Sequence, residues 1–282
     1  MRRGIALCLA ALLAGGATSP GSPPEWTRPT QPFHVVGPIY YVGTEGIAVY
    51  LVRTNAGLIL LDGGLEENAP LVERSIAALG FRLHDVKLMI ATHAHSDHAG
   101  ALAQLKRDTG AIFESSAADR QAYETGTPPS ETSYGVMRFP PVKVDRVLAD
   151  GRPVRLGGVA MTPVLTPGHT PGCTSWTMRV TDTGRPLDVV FPCSITVAGN
   201  KLVGNKGYPG IVADFRRTFA RMRRLHADVV LPAHSERADV LGRARRRDAG
   251  DANAFIAPDL LPRFVNEAQA AFEAELKKQG GQ

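Results

Sequence analysis

The chain has 282 residues, of which 44% are hydrophobic and 21% charged; this balance predicts one large globular domain, although length alone also permits two half-size domains. The formal net charge is only +5, and arginines cluster over residues 216–224 and 243–247. We expect these arginines to form a solvated helix face and an exposed basic loop rather than a nucleic-acid surface, so no nucleic-acid partner is predicted.

The first nineteen residues have the pattern of an export signal. Two arginines precede an apolar run over residues 5–14, and small residues follow it, as in a secretory signal peptide. The run is too short to span a bilayer, so we expect no stable membrane insertion of the mature chain. We therefore predict a signal peptide at 1–19, a flexible lead-in at 20–32, a domain at 33–282, and a periplasmic or secreted protein.

Strand and helix patterns alternate along the rest of the chain. Up to residue 123, they predict strands at 39–42, 47–54, 58–61, 86–91 and 111–113, and helices at 69–79, 100–107 and 117–123. Beyond a Pro-, Ser- and Thr-rich loop at 125–141, they predict strands at 142–148, 154–156, 159–165, 175–180, 187–191 and 229–231, and helices at 211–225 and 261–278. Helices that accompany β-rich halves in this way predict an α/β sandwich of two packed sheets with helices outside.

A histidine-rich loop directly follows the apolar strand at 86–91. It carries His93, His95, Asp97 and His98. His93 and His95 point the same way along an extended segment, and as the chain turns into a helix, Asp97 and His98 can face a second point nearby. Imidazole and carboxylate are ligands that zinc binds. A solvent-exposed loop or ordinary core histidines are the alternatives, but three of the chain's eight histidines lie here, which makes chance a poor explanation.

Two further histidines follow predicted strands. His169 lies in the sequence Thr-Pro-Gly-His-Thr-Pro-Gly, and His234 ends the sequence Leu-Pro-Ala-His. Taken singly, each is as readily structural as functional. Because the histidine-rich loop is present, we expect each to complete one metal site.

These motifs resemble the metallo-β-lactamase superfamily. The resemblance rests on the His-x-His-x-Asp-His loop, on His169 and His234, and on the sequence Asp-Gly-Gly that begins at Asp62. Residues 166–176 and 208–214 are similar to those of subclass B3 β-lactamases. The resemblance implies a four-layer αβ/βα sandwich with two zinc ions in a cleft at one edge of the sheets.

The resemblance also implies roles for individual residues. The first zinc would be held by His93, His95 and His169, and the second by Asp97, His98 and His234. Asp62 resembles a carboxylate that steadies the metal-binding loop, with a plain turn-forming Asp as its alternative. Ser194 and Thr196 would bind the carboxylate of a substrate, unless they are simple strand-end residues.

The activity implied is hydrolysis of a small-molecule β-lactam by a zinc-bound hydroxide, which Asp97 orients. Other superfamily members cleave lactones, thioesters or phosphodiesters, and many take a bridging Asp from the strand between His169 and His234. Residues 189–194 contain no carboxylate, which favours the β-lactamase over the lactonase or glyoxalase II-like alternative. A zinc-binding protein without turnover is a further alternative, but three protein ligands per zinc leave an open position. We expect a monomer.

Two cysteines remain once the signal peptide and its Cys8 are removed. An even number in an exported protein favours a disulfide, and the predicted hairpin over 175–191 brings Cys173 within one register step of Cys193. Some subclass B3 enzymes are similar in carrying a bridge at these positions. The alternative makes Cys193 a thiolate ligand of the second zinc.

Overall fold

The structure is a computed structural model and describes residues 22–128 and 130–281. The signal peptide predicted at 1–19 lies outside the described residues. Within them, no helix is both long and apolar enough to cross a membrane.

Twelve strands and seven helices make up the described chain. The strands are β1 (Phe33–His34), β2 (Ile39–Tyr41), β3 (Tyr50–Thr54), β4 (Gly57–Leu61), β5 (Val86–Ile90), β6 (Ile112–Ser115), β7 (Arg146–Val147), β8 (Val154–Leu156), β9 (Val159–Leu165), β10 (Thr174–Asp182), β11 (Arg185–Phe191) and β12 (Val229–Val230). The helices are α1 (Ala69–Ala78), α2 (Ser96–Ala99), α3 (Leu102–Thr109), α4 (Ala117–Thr125), α5 (Ile211–Met222), α6 (Val240–Asp248) and α7 (Leu260–Lys278).

The strands form two sheets. Seven strands, β1 to β7, lie in sequence order, antiparallel up to β4 and parallel from β4 to β7. The other five lie in the order β12-β11-β10-β9-β8, and there only β11 and β12 run parallel. The loops that carry the predicted site residues leave the carboxyl ends of β4, β5, β9, β11 and β12.

Alternation of side chains along the strands builds four layers. In β3, Tyr50 and Val52 join the apolar core between the two sheets, whereas Leu51 joins the core beneath α1, α3 and α4. A third core lies between the five-stranded sheet and the helices α5 and α7. Because side chains repeat with period 2, one strand can serve two cores at once. The predicted four-layer αβ/βα sandwich is confirmed.

Two segments predicted beyond residue 140 differ in the structure. The strand predicted at 142–148 shortens to β7, while Val142 and Val144 are buried without strand pairing. The basic loop predicted around 243–247 is instead the helix α6, whose residues Val240 and Ala244 pack into the core between the sheets. Only Leu241 adds to that apolar face, and the rest of the helix is mostly arginine, so tertiary packing rather than local pattern decides the helix.

The lead-in at 20–32 is predicted to be flexible, but its described residues are hydrogen-bonded to the domain. Pro24–Trp26 make a single 3-10 turn, the Gly46 amide donates a 2.8 Å hydrogen bond to the Glu25 carbonyl, and the Asn68 side chain donates a 3.0 Å hydrogen bond to the Trp26 carbonyl. These partners lie far along the chain, which explains why composition alone suggested flexibility. The segment is a fixed part of the domain surface.

The predicted hairpin forms between β10 and β11. Its turn contains Thr183 and Gly184, both with positive φ (48° and 83°), as type I′ hairpin turns require. The register pairs Trp176 with Phe191. A disulfide joins Cys173 to Cys193, with their Cα atoms 5.9 Å apart, as the sequence predicts.

Candidate metal centre

The candidate site lies where both sheets end on the same side. The histidine-rich loop continues from β5, and His234 follows β12 by four residues. A bridge pairs Ile47 with His234, and the Ala48 amide donates a 2.8 Å hydrogen bond to the Ala233 carbonyl. These contacts tie the end of the second sheet to the first, so residues from distant parts of the chain share one pocket.

The first predicted group of ligands converges in the structure. One ligand atom from each of His93, His95 and His169 lies within 4.8 Å of the other two. Nδ1 of His95 is 3.0 Å from Nε2 of His169. Nε2 of His93 is buried and has no hydrogen-bond partner among the described residues. Three ring nitrogens thus face one small volume.

The second predicted group lies directly beside the first. Oδ2 of Asp97 is 3.1 Å from Nε2 of His98 and 3.3 Å from Nε2 of His234, and the two ring nitrogens are 3.3 Å apart. His93 also lies within 4.8 Å of Asp97 and His98. The structure therefore brings all six predicted side chains into one cluster with two adjacent centres.

For two of the rings, hydrogen bonds select which nitrogen faces the cluster. Nδ1 of His169 is 2.8 Å from the Thr196 carbonyl, which can only accept, so this nitrogen carries the proton and Nε2 keeps its lone pair. The Thr92 hydroxyl donates to Oδ2 of Asp62 (2.8 Å) and lies 3.0 Å from Nδ1 of His93. It thus accepts from that nitrogen and leaves Nε2 of His93 free to bind a metal.

Asp62 has contacts that match the steadying role implied for it. Its Oδ1 accepts a 2.7 Å hydrogen bond from the Thr92 amide, directly before the first histidine, and its Oδ2 lies 3.7 Å from Nδ1 of His98. Asp62 has a φ of 64°, an uncommon conformation that Asp tolerates better than most residues. Burial raises the pKa of this carboxyl to about 6, against the lowering effects of His98 and the Thr92 hydrogen bonds.

Burial lowers the pKa values of the three histidines in the first group, which favours the neutral form that binds a cation. Burial lowers the pKa of His95 to about 4 and holds the pKa values of His93 and His169 well below the ordinary value. These rings are therefore neutral at pH 7, as metal ligands must be.

The donor set fits a metal ion, and zinc in particular. Five imidazole nitrogens and one carboxylate oxygen make up the cluster, which is a combination that zinc accepts. The unpartnered Nε2 of His93 supports this assignment, because a buried polar atom without a partner is costly. The cysteines do not belong to the set: Cys193 lies near His93, but its sulfur is bonded to Cys173.

A cavity of about 560 Å³ opens onto the cluster. Ser194 and Thr196, the predicted carboxylate-binding residues, line it with His95, Asp97, His169 and His234. The hydroxyl oxygens of Ser194 and Thr196 lie 3.0 Å apart. Apolar parts of the wall come from Trp26 and from the loop that carries Tyr134 and Met137. The volume suits a small molecule.

Two residues that contact the candidate ligands or their loops are absent from the sequence-based prediction. Trp26 packs against the ring of His234, with ring centroids 5.3 Å apart. Asp119 is fully buried and accepts hydrogen bonds from both loops that carry the candidate ligands of the first group. The only local signal near Asp119 is Ser116, a typical N-cap residue. Its hydroxyl caps helix α4 by accepting a hydrogen bond from the Asp119 amide. Nothing in the local sequence points from helix α4 to the histidines.

Known proteins resemble this chain in both sequence and structure. The family described as "Metallo-beta-lactamase superfamily" matches residues 42–234. The crystal structure of BJP-1, a subclass B3 metallo-β-lactamase of Bradyrhizobium japonicum, is 41% identical with a TM-score of 0.87, covering 91% of this chain and 97% of its own. FEZ-1 from Legionella gormanii is 35% identical, with a TM-score of 0.86 and coverage of 91% and 99%. Among curated proteins, the hydroxyacylglutathione hydrolase GloC of Haemophilus influenzae is 26% identical over 210 residues, 72% of this chain and 94% of its own.

Proposed function

Because the chain belongs to the metallo-β-lactamase superfamily, we propose that it is a zinc-dependent β-lactamase. It would hydrolyse the ring amide of β-lactam antibiotics. The observation that carries the proposal is the convergence of six side chains that could bind metal, in two adjacent groups of three, beside a cavity open to small molecules. Similarity to subclass B3 structures over nine-tenths of the chain supports the choice of substrate.

Each group of residues has a distinct task in this proposal. His93, His95 and His169 would hold one zinc ion, and Asp97, His98 and His234 the other. Bound zinc supplies a Lewis acid and lowers the pKa of a water ligand to about 7.

Asp97 would orient the attacking water. Its Oδ2 faces His98 and His234, which leaves Oδ1 to accept a hydrogen bond from that water. The six ligands carry a single negative charge, so the loaded centre is strongly positive and attracts an anionic substrate.

Ser194 and Thr196 would bind the carboxylate that β-lactams carry beside the scissile amide. Both residues line the cavity, and their hydroxyls are 3.0 Å apart, close enough to donate to the two oxygens of one carboxylate. Either hydroxyl can rotate its proton toward an anion.

A thioesterase or lactonase is the second candidate, and the similarity to curated hydroxyacylglutathione hydrolases favours it. The sequence at the end of β11 argues against this second candidate, because residues 189–194 supply no carboxylate to bridge two metals. Cys193 lies in this segment and is bonded to Cys173.

A substrate panel distinguishes the two candidates. Purified, zinc-loaded protein is assayed with a penicillin, a cephalosporin, a carbapenem, an acyl-homoserine lactone and a glutathione thioester. We expect kcat/KM for at least one β-lactam to exceed that for the lactone and the thioester by about tenfold or more, which corresponds to about 1.4 kcal/mol. Protein treated with a chelator serves as the blank. A lactone or thioester that leads by the same margin would replace this proposal with the second candidate.

We also propose export of the mature chain as a monomer. The Cys173–Cys193 disulfide supports an oxidising compartment. Cell fractionation followed by intact-mass measurement should find a periplasmic or secreted chain that lacks about the first 19 residues, as a cleaved signal predicts. Sedimentation should give the mass of one chain. Cytoplasmic protein with an intact N-terminus would contradict the export, and a dimer would contradict the monomer.

A further inference from the structure

Asp119 is a buried carboxylate in the first turn of helix α4. Its side chain is fully shielded from water, and no described residue places a Lys or Arg side chain within salt-bridge distance of it. Burial raises its pKa, against three hydrogen bonds that lower it. A charged group is kept in such a place only when its oxygens are well satisfied.

The three hydrogen bonds reach two loops that are far apart in sequence. Oδ2 accepts from the Ala94 amide (3.1 Å) and from the Thr170 hydroxyl (2.7 Å), and Oδ1 accepts from the Gly172 amide (2.7 Å). Ala94 stands between His93 and His95, and Thr170 directly follows His169. One carboxylate thus ties together the backbone segments that carry all three ligands of the first group.

The approach of the second loop to helix α4 is close. The Ser116 hydroxyl donates a 2.8 Å hydrogen bond to the Gly172 carbonyl. A methyl group on Gly172 would overlap the Ser116 hydroxyl and the backbone of Asp119. Glycine is therefore required here so that Asp119 can reach both loops.

We propose that Asp119 is a positioning residue for the first metal group, holding His95 and His169 at the separation at which both can bind one ion. The proposal rests on the metal centre proposed above. Asp62 steadies the start of the histidine-rich loop, whereas Asp119 sets the distance between that loop and the one that carries His169.

Asp119→Asn tests the requirement for two acceptor oxygens. Asn has the same shape but one oxygen and one NH2 group, so either the Ala94 or the Gly172 amide must face a donor. We expect the affinity of the first zinc site, measured by competition with a chromophoric chelator, to fall by roughly ten- to a hundredfold. The visible spectrum of the cobalt(II)-substituted protein should change, because it reports ligand geometry. The affinity of the second site should stay close to that of the wild type.

Thr170 offers a matched pair of variants. Thr170→Val removes the hydroxyl while keeping the shape, and we expect it to weaken the first site in the same direction as Asp119→Asn. Thr170→Ser keeps the hydroxyl and should restore the affinity and the cobalt spectrum. Asp145→Asn is the control, because Asp145 also accepts a backbone hydrogen bond (from Phe113, 2.9 Å) but lies away from both loops.

The outcomes separate this inference from the proposed function. Wild-type protein that binds no zinc would overturn the proposed function and with it the metal centre. Wild-type protein that binds two zinc ions, together with Asp119→Asn and Thr170→Val variants of unchanged affinity and spectrum, would overturn only the role of Asp119. If Asp119→Asn does not fold, the Thr170 pair decides the question by the same two measurements.

Discussion

Asp97 lies where the two groups of candidate ligands meet. Burial alone would raise its pKa, but the charge of His98 and the hydrogen bonds from His234 and His98 outweigh burial and hold the pKa well below the ordinary value. The carboxylate is therefore ionised at neutral pH before any metal binds. The same charge raises the pKa of His98, although burial alone would lower it.

Asp97→Asn should remove activity while leaving the fold intact. Asn cannot supply the charge that the second zinc requires, whereas the surrounding loop keeps its hydrogen bonds to Asp62 and Asp119. We expect kcat/KM for a β-lactam to fall by about a hundredfold or more, at least as much as the loss of an outer partner of a ligand costs. Circular dichroism should be unchanged. Near-full turnover would show that the site is misassigned.

At the scale of an element, the Pro24–Trp26 turn acts as one wall of the cavity. The ring planes of Trp26 and His234 make an angle of 50°. The turn passes so close to Gly46 that a methyl group on this glycine would lie 2.7 Å from the Trp26 ring. The turn therefore holds the indole against a candidate ligand.

Trp26→Ala should weaken the second zinc site. An aromatic contact of this kind contributes about 0.5–1.5 kcal/mol, so we expect a loss in affinity of roughly two- to tenfold. Trp26→Phe keeps an aromatic ring against His234 and should lose less. Chelator competition measures both variants, and equal affinity in Trp26→Ala and the wild type would show that the wall does not position His234.

The Cys173–Cys193 disulfide connects the loop after His169 to the end of β11. The residues are 20 apart, and in the chain-entropy model a loop of this size contributes about 3 kcal/mol. The double variant Cys173→Ser/Cys193→Ser should lose about that much free energy of unfolding in denaturant titration, yet still bind zinc. Denatured, unreduced protein that lacks residues 1–19 should show no reactive thiol. Two reactive thiols would contradict the bridge and restore Cys193 as a candidate ligand.

For the whole molecule, zinc should stabilise the fold because the ligands come from both sheets. The histidine-rich loop follows β5 in one sheet, whereas His169 and His234 lie in loops that follow β9 and β12 of the other sheet. A ligand that binds only the folded state adds about 2.7 kcal/mol per site at a hundred times its Kd.

Metal analysis after dialysis against dilute zinc should therefore give two ions per chain, and chelation should both abolish activity and lower the melting temperature. Added zinc should restore both. One ion per chain would leave a single-metal enzyme, and none would contradict the proposed mechanism.

The sequence predicted the architecture and, through the family resemblance that its motifs carry, the two groups of ligands. Metal ligands are recognisable because imidazole and carboxylate chemistry is concentrated in short loops directly after apolar strands, as at 93–98 and at His234. The layers follow from the period of side chains along strands and helices. The Cys173–Cys193 bridge follows from hairpin register and the even number of cysteines. Each of these patterns is contained in short stretches of the chain.

Only the tertiary structure determined how those ligands are supported. Asp119 is remote in sequence from His169, and the turn at Pro24–Trp26 is remote from His234. Helix α6 depends on a core to which both sheets contribute. In each case the stabilising partners come from distant segments, so a local sequence pattern does not predict them. Hydrogen bonds and packing between such segments depend on the tertiary fold, which is why composition suggested a flexible lead-in and a basic loop.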